Sequence, residues 1–261
     1  MPSWNAGQYL KFSEERTRPA RDLAARIAVD APRSIVDLGC GPGNSTAVLS
    51  DRWPATPIAG LDSSPAMIAE ARRNYPAKTW SVADIADWAD SSGPQFDIVF
   101  SNAALQWLPD HAAIFPRLFD RVASGGALAI QMPANFDSPA QRAIRAVAMS
   151  AAWASKLPGG GVRSWHVSDP GFYYDLFAPS AARLDIWETE YLQIMDNIDA
   201  IVEWYKGTGL RPFLDALSSD GDRDLFLADY RETLAHAYTA QSNGRVLLPF
   251  KRLFIIAYRA A

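Results

Sequence analysis

A short apolar strand, Ser34–Leu38, runs into Asp37-Leu38-Gly39-Cys40-Gly41-Pro42-Gly43, and a helical pattern starts at Asn44. A turn this tight between a strand and a helix constrains the chain more than any other feature it carries. The glycines remove side chains where the backbone must bend and where a ligand must come close. The helix that follows directs its free N–H groups into the loop, which suits a carboxylate or phosphate. Asp37, at the strand end, is expected to accept hydrogen bonds from a positively charged or hydroxylated ligand. The dinucleotide fingerprint Gly-x-Gly-x-x-Gly needs glycine or alanine at 44, and Asn44 stands there, so that version fails at its helix-packing position. An ordinary tight turn would use the same glycines, so the loop needs company before it means more.

The company comes from strand order. Apolar runs alternate with helical patterns over the first two-thirds, the signature of a parallel sheet wrapped by helices. Strands are expected at Ser34–Leu38, Pro57–Leu61, Thr79–Ala83, Phe96–Ser101 and Gly126–Met132. Helices are expected over 8–29 with a break near Pro19, and over Asn44–Trp53, Ala66–Asn74, Pro109–Val122 and Ser138–Ala154. The last third has two long strand-forming stretches, Arg183–Ile194 and Arg245–Arg259. Between them, Asn197–Gln241 reads as helices interrupted at Gly207–Pro212 and Asp220-Gly221. A strand pair embracing a helical insertion would complete a seven-stranded, mostly parallel sheet with its last strand reversed. The expected division is a helical cap over 1–30, a ligand-binding core over 31–135, and the rest of the sheet with its insertion around 197–241 in 136–261.

In such a sheet, ligands sit over the carboxyl ends of the strands. The first three strands end in Asp37, Asp62 and Asp84. An acid after the second strand can take both ribose hydroxyls, and one after the third can take an adenine amino group, with Ile85 against the ring. Aspartate also follows strands simply because it caps helices. Three in register with a glycine loop outweigh that explanation. The fourth strand runs into Ser101-Asn102-Ala103-Ala104-Leu105-Gln106-Trp107-Leu108, where small residues allow close approach of a ligand. Leu105 and Trp107 can wall off a reacting group, and an aromatic face stabilises a cation.

Length and composition set the limits. At 261 residues the chain suits one large domain, or one domain with an insertion, and 49% hydrophobic against 21% charged residues is ordinary for a soluble protein. No stretch approaches the ~20 apolar residues of a membrane span, and Met1–Asn5 does not read as a secretory signal. Net charge is −4 with no basic block, which argues against nucleic acid. The single cysteine, Cys40, excludes an intrachain disulfide and fits a reducing, cytoplasmic setting. His111, His166 and His236 lie apart from one another, so no metal-ligand spacing exists; each reads as a surface or hydrogen-bonding histidine.

The segments 37–46, 60–71 (Gly-Leu-Asp-Ser-Ser-Pro-Ala-Met-Ile-Ala-Glu-Ala) and 101–111 resemble class I methyltransferases that use S-adenosyl-L-methionine. More narrowly, the chain resembles the trans-aconitate 2-methyltransferase family. That likeness is carried by Trp4-Asn5, Tyr9–Ser13, Arg18-Pro19-Ala20, Gln131-Met132-Pro133, Tyr173-Tyr174-Asp175, Thr208–Pro212 and Asn243–Phe254. The resemblance implies a Rossmann-like α/β fold. It implies S-adenosylmethionine held by Asp37, Gly39, Gly41, Asn44, Asp62, Ser63, Met67, Asp84, Ile85, Asn102, Ala103 and Trp107. It implies methyl transfer to a carboxylate of trans-aconitate, a small polycarboxylate. A carboxylate is already ionised at neutral pH, so no general base is expected. Substrate donors expected on this basis are Arg18, Arg211 and Arg252, with Tyr9, Tyr173 and Tyr174, and Trp4 and Trp204 as lid residues. The alternative is another acidic small molecule, or a carboxylate carried on an acyl-carrier protein.

Overall fold

In the computed structural model the structure describes residues 13–157 and 166–261. Helix α1 (Ser13–Arg26) precedes β1 (Ile35–Leu38), α2 (Asn44–Arg52), β2 (Ile58–Asp62), α3 (Pro65–Asn74), β3 (Thr79–Val82), α4 (Ile85–Asp90) and β4 (Phe96–Asn102). A 3-10 turn at Leu105–Trp107 leads to α5 (His111–Asp120), β5 (Val122–Pro133), α6 (Pro139–Ala148), α7 (Pro170–Phe177) and β6 (Arg183–Met195). The insertion α8 (Ile198–Lys206), α9 (Arg211–Ala216) and α10 (Asp220–Ala237) then precedes β7 (Val246–Tyr258). The strands form one seven-stranded sheet in the order β3-β2-β1-β4-β5-β7-β6. Pairing is parallel from β3 through β5, and β7 runs antiparallel to both β5 and β6. The expected architecture, reversed last strand included, is the one found.

Strand burial explains why both faces are covered. Ile98 and Phe100 of β4, Ala127 and Ala129 of β5, and Phe254 and Ile256 of β7 point one way and pack on Leu23 of α1, on Ile27 just after it and on Leu49 of α2. Val99, Leu128, Ile130, Leu253 and Ile255 point the other way, onto Phe115 and Leu118 of α5 and Tyr173 and Phe177 of α7. These strands are apolar on both sides, as strands covered on both faces must be, the parallel β4 and β5 and the reversed β7 alike. A further core joins α6, α8 and α10 to the far ends of β6 and β7 through Ile144, Trp204, Phe226, Tyr230, Leu248 and Phe250. It sets the insertion over the carboxyl edge of the sheet.

Several expected boundaries move. Helix α1 continues through Pro19 rather than breaking there. The helix expected over Ser138–Ala154 stops at Ala148, and turns follow to Leu157. Asp220-Gly221 does not interrupt a helix but starts one, with the Ser219 side chain accepting from Asp222 N. Two short helices, α4 and α7, were not expected. Each is capped by an aspartate, Asp84 and Asp169 respectively. Among the described residues no helix is long and apolar enough to cross a membrane.

Candidate active site

The glycine loop folds as its sequence requires. Gly39, Gly41 and Gly43 have φ of 67°, 55° and 98°, all left-handed. Gly39 N and Cys40 N donate to Leu61 O at 2.8 and 3.0 Å, and Gly41 N donates to Asp62 Oδ2 at 3.0 Å. The loop is thus latched to the end of β2. Helix α2 begins at Gly43 without a side-chain cap, whereas α3 to α7 are each capped by a serine or aspartate. Its first amides border a cavity of about 350 Å³.

Gly39, Gly41, Asn44, Asp62, Ser63, Met67, Asp84, Ile85, Asn102, Ala103 and Trp107 all line this cavity. The carboxyl ends of four strands therefore converge on one space. Asp62 Oδ1 also accepts from Ser64 N at 2.8 Å, so each of its oxygens already holds one backbone amide. Carboxylate oxygens have further lone pairs, and these remain for a ligand. Burial raises the Asp62 pKa against the opposing pull of those amides. Asp84 Oδ1 accepts from Ala86 N at 2.7 Å, so this residue caps α4 as well as lining the cavity.

Asp37 is placed differently from expectation. It is fully buried beneath the loop and does not reach the cavity lining. Its Oδ2 accepts from the Ser45 and Thr46 hydroxyls at 2.7 and 2.6 Å. One oxygen thus fixes the start of α2, so this residue shapes the loop, while its Oδ1 is buried without a hydrogen-bond partner. Burial pushes its carboxyl up from 3.8 to about 6, with the Thr46 and Ser45 hydroxyls opposing. A carboxyl whose folded pKa is raised binds its proton more tightly in the folded state. Its contribution to stability therefore falls as pH rises from 3.8 to about 6 and is level above that. For Asp37→Asn, the melting temperature relative to the parent protein is expected to rise across that window. A difference that is flat with pH, measured by calorimetry, would contradict the burial argument.

The other expected site residues divide. Arg252 is buried, its Nη1 donates to Gln131 Oε1 at 3.1 Å, and its guanidinium lies 4.7 Å from the Phe250 ring centre. Arg211 starts α9 and faces Asp215 at 3.4 Å. Arg18 is exposed and stacks 5.0 Å over the ring of Tyr191. Tyr173 is core: its hydroxyl is held by His111 at 2.7 Å and Ser168 N at 3.1 Å, so it is not offered to a ligand. Tyr174 is 57% exposed on α7 and absent from the cavity wall. Trp204, expected as a lid, is packed edge-on against Phe250 in the core of the insertion. Tyr9 and Trp4 lie outside the described residues.

Sequence reasoning missed Thr17 and Ala20, which bring α1 to the cavity, and Cys40, Pro42, Ser45, Leu108 and Pro109. Spacing of three places Thr17 and Ala20 on one helix face, and that was the available signal. Burial, with Asp37 and Asp62 nearby, pushes the Cys40 thiol far above its ordinary value. It stays protonated and acts as filler under the loop.

A parallel sheet with one reversed strand and an acid-flanked glycine loop at its carboxyl edge defines a class I methyltransferase. A methyltransferase domain model matches residues 35–126. The chain is 48% identical to a trans-aconitate 2-methyltransferase of Azoarcus sp. (strain BH72), over 99% of this chain and 100% of that one. It is 47% identical to another from Methylobacterium radiotolerans, over the whole of both chains. Among solved structures, the YcgJ protein of Bacillus subtilis superposes with a TM-score of 0.58 at 13% identity, covering 94% of this chain and 99% of that one. That likeness speaks to fold alone. The chain belongs to the trans-aconitate 2-methyltransferase family.

Proposed function

We infer that this protein transfers a methyl group from S-adenosylmethionine to a carboxylate of trans-aconitate, giving a monomethyl ester. The observation that carries the reading is likeness from end to end to enzymes named for that reaction, insertion and carboxyl-terminal strands included. The cavity suits the cofactor on its own terms. A Cβ added at Gly41 would meet nothing within 4 Å, so the bare backbone there borders open space. Asp62 and Asp84 offer carboxylate acceptors for ribose and adenine, Ile85 and Met67 offer apolar contact, and Trp107 offers an aromatic wall. Asn44, Ser63, Asn102, Ala103 and the glycines complete this proposed cofactor set, with Asp37 shaping it from below.

When bound, S-adenosylmethionine supplies an electrophilic methyl: the carboxylate oxygen bonds to carbon as the carbon–sulfur bond breaks, leaving a neutral thioether. The protein's part is to orient and to exclude water. A carboxylate of pKa about 4 is ionised at neutral pH and needs no base. Holding the reactants in line is worth up to about 7–11 kcal/mol. Arg252 and Arg211 are the proposed carboxylate donors, because an arginine fork matches a carboxylate and stays charged when buried. The insertion over 197–241 is the proposed substrate cap.

The test is an assay of radiolabelled methyl transfer across di- and tricarboxylates and carrier-protein thioesters. Trans-aconitate is expected to be esterified with the highest kcat/KM. Activity confined to carrier-bound carboxylates would overturn the assignment.

A further inference from the structure

The cavity wall at residues 103–108 is strained and heavily tied. Ala103 has φ 55°, left-handed for a residue that carries a Cβ, and such a conformation persists only where its surroundings over-determine it. Here they do. Ala103 O accepts from Gln106 Nε2 at 2.7 Å, and Ala104 O from Trp107 N at 3.1 Å. Leu105 O accepts from Leu108 N at 3.0 Å and faces His111 Nε2 at 2.9 Å, while Gln106 O accepts from His166 N at 3.1 Å.

The His111 side chain joins this wall to another layer of the fold. A carbonyl only accepts, so His111 Nε2 must carry the proton toward Leu105 O. Nδ1 is then the acceptor for the Tyr173 hydroxyl at 2.7 Å, and that oxygen accepts from Ser168 N at 3.1 Å. The neutral Nε2–H tautomer satisfies every member, with donation running one way from Ser168 N through Tyr173 and His111 to Leu105 O. Both rings are buried, and His111 stacks on Phe115 with centroids 4.2 Å apart. Burial lowers the imidazole pKa, the Leu105 carbonyl opposes this, His166 adds to it and Asp110 opposes it; Asp169 faces Tyr173. Neither His111 nor Tyr173 lines the cavity, whereas Trp107, Leu108 and Pro109 do.

We propose that His111, locked as its neutral Nε2–H tautomer by Tyr173, is a positioning residue for methyl transfer. It clamps the strained Ala103–Leu108 wall in its working shape and couples that wall to α7. This rests on the methyltransferase reading of the cavity. A histidine that merely filled the core would affect only stability.

The chain has three histidines, so nitrogen-15 correlation spectra of the full-length protein can resolve each tautomer. At neutral pH, His111 is expected as the neutral Nε2–H form, and Tyr173→Phe is expected to turn it into a tautomer mixture. At a temperature where circular dichroism shows the variant fully folded, Tyr173→Phe is expected to lower kcat and S-adenosylhomocysteine affinity by about tenfold each, equivalent to about 1.4 kcal/mol. His111→Gln, whose amide can still donate to Leu105 O, is expected to retain more activity than His111→Leu, which keeps the proposal testable should Tyr173→Phe fail to fold. An Nδ1–H or charged His111 in the parent protein overturns the proposal. So does a folded Tyr173→Phe with unchanged kcat and affinity. Failure of the parent protein to bind S-adenosylhomocysteine overturns the methyltransferase reading and this proposal with it, whereas binding that the variants leave intact overturns the proposal alone.

Discussion

Gly39→Ala is expected to abolish measurable cofactor binding and to destabilise the unliganded protein, while the sheet still folds. A Cβ at this position would lie 2.2 Å from Ala104 Cβ and 3.6 Å from Ile85 Cδ1. Ala104 Cβ is fixed by its own backbone and cannot swing aside. That backbone follows Ser101, whose hydroxyl is bonded to Leu38 O at 2.9 Å across the adjacent strand. The clash must therefore separate the glycine loop from the Ala103–Leu108 wall, two sides of the same cavity. A displacement of about 1 Å in such a site can cost about a hundredfold in rate. To this is added the left-handed φ of 67°, which costs an L-residue about 1–2 kcal/mol. Gly41→Ala provides the comparison. Its φ of 55° carries the same backbone cost, but its Cβ meets nothing within 4 Å. It is expected to weaken binding by obstructing the cavity, with a smaller fall in melting temperature. Calorimetric titration with S-adenosylhomocysteine and thermal melts of both variants check this. Near-normal binding by Gly39→Ala would mean that loop and wall do not form one site.

The sheet and the cofactor side of the cavity were legible because they rest on local rules. Only glycine tolerates left-handed φ freely, so Gly39, Gly41 and Gly43 marked the turn. Asp62 and Asp84 fall at strand ends at one strand–helix–strand spacing, and parallel pairing carries both to the same edge. Spacing could not show how deep an acid lies. Asp37 looked like its two counterparts, yet the hydroxyls of Ser45 and Thr46, on the first turn of α2, capture it beneath the loop. The substrate side was poorly legible for a related reason. Tyr173 and Phe177 stand four apart on one face of α7, a core stripe that the neighbouring tyrosine obscured. Trp204 sits in a helix whose apolar face is turned into the insertion's own core. Thr17 and Ala20 reach the cavity through packing between α1 and the sheet, a contact distant in sequence.

Arg252→Met is expected to raise KM for trans-aconitate by about a hundredfold, with S-adenosylhomocysteine affinity unchanged. The strand register gives the reason. Asn102 of β4 pairs with Gln131 of β5, Gln131 with Phe254 of β7, and Pro133 with Arg252. Side chains alternate along a strand, so Asn102, Gln131, Phe254 and Arg252 share one face of the sheet. Asn102 lines the cavity, and Arg252 is bonded to Gln131 beside it. Arg252, only 4% exposed, thus stands two strands from the cavity-lining Asn102, at the carboxyl edge and below the insertion. It cannot shed its proton to ease burial. An acceptor bearing several carboxylates is the partner such a charge suits. Truncating one member of a buried, hydrogen-bonded charge pair costs about 2–5 kcal/mol, which brackets a hundredfold change in binding. Arg252→Lys keeps the charge but loses the planar fork, so its KM should fall between those of the parent protein and Arg252→Met. The unliganded Arg252→Met protein is expected to melt lower than the parent, since buried Gln131 Oε1 loses its donor, so KM is compared at a temperature where both proteins are folded. Steady-state kinetics at saturating cofactor decide the matter: an unchanged KM removes Arg252 from the substrate site and leaves Arg211 as the donor to test.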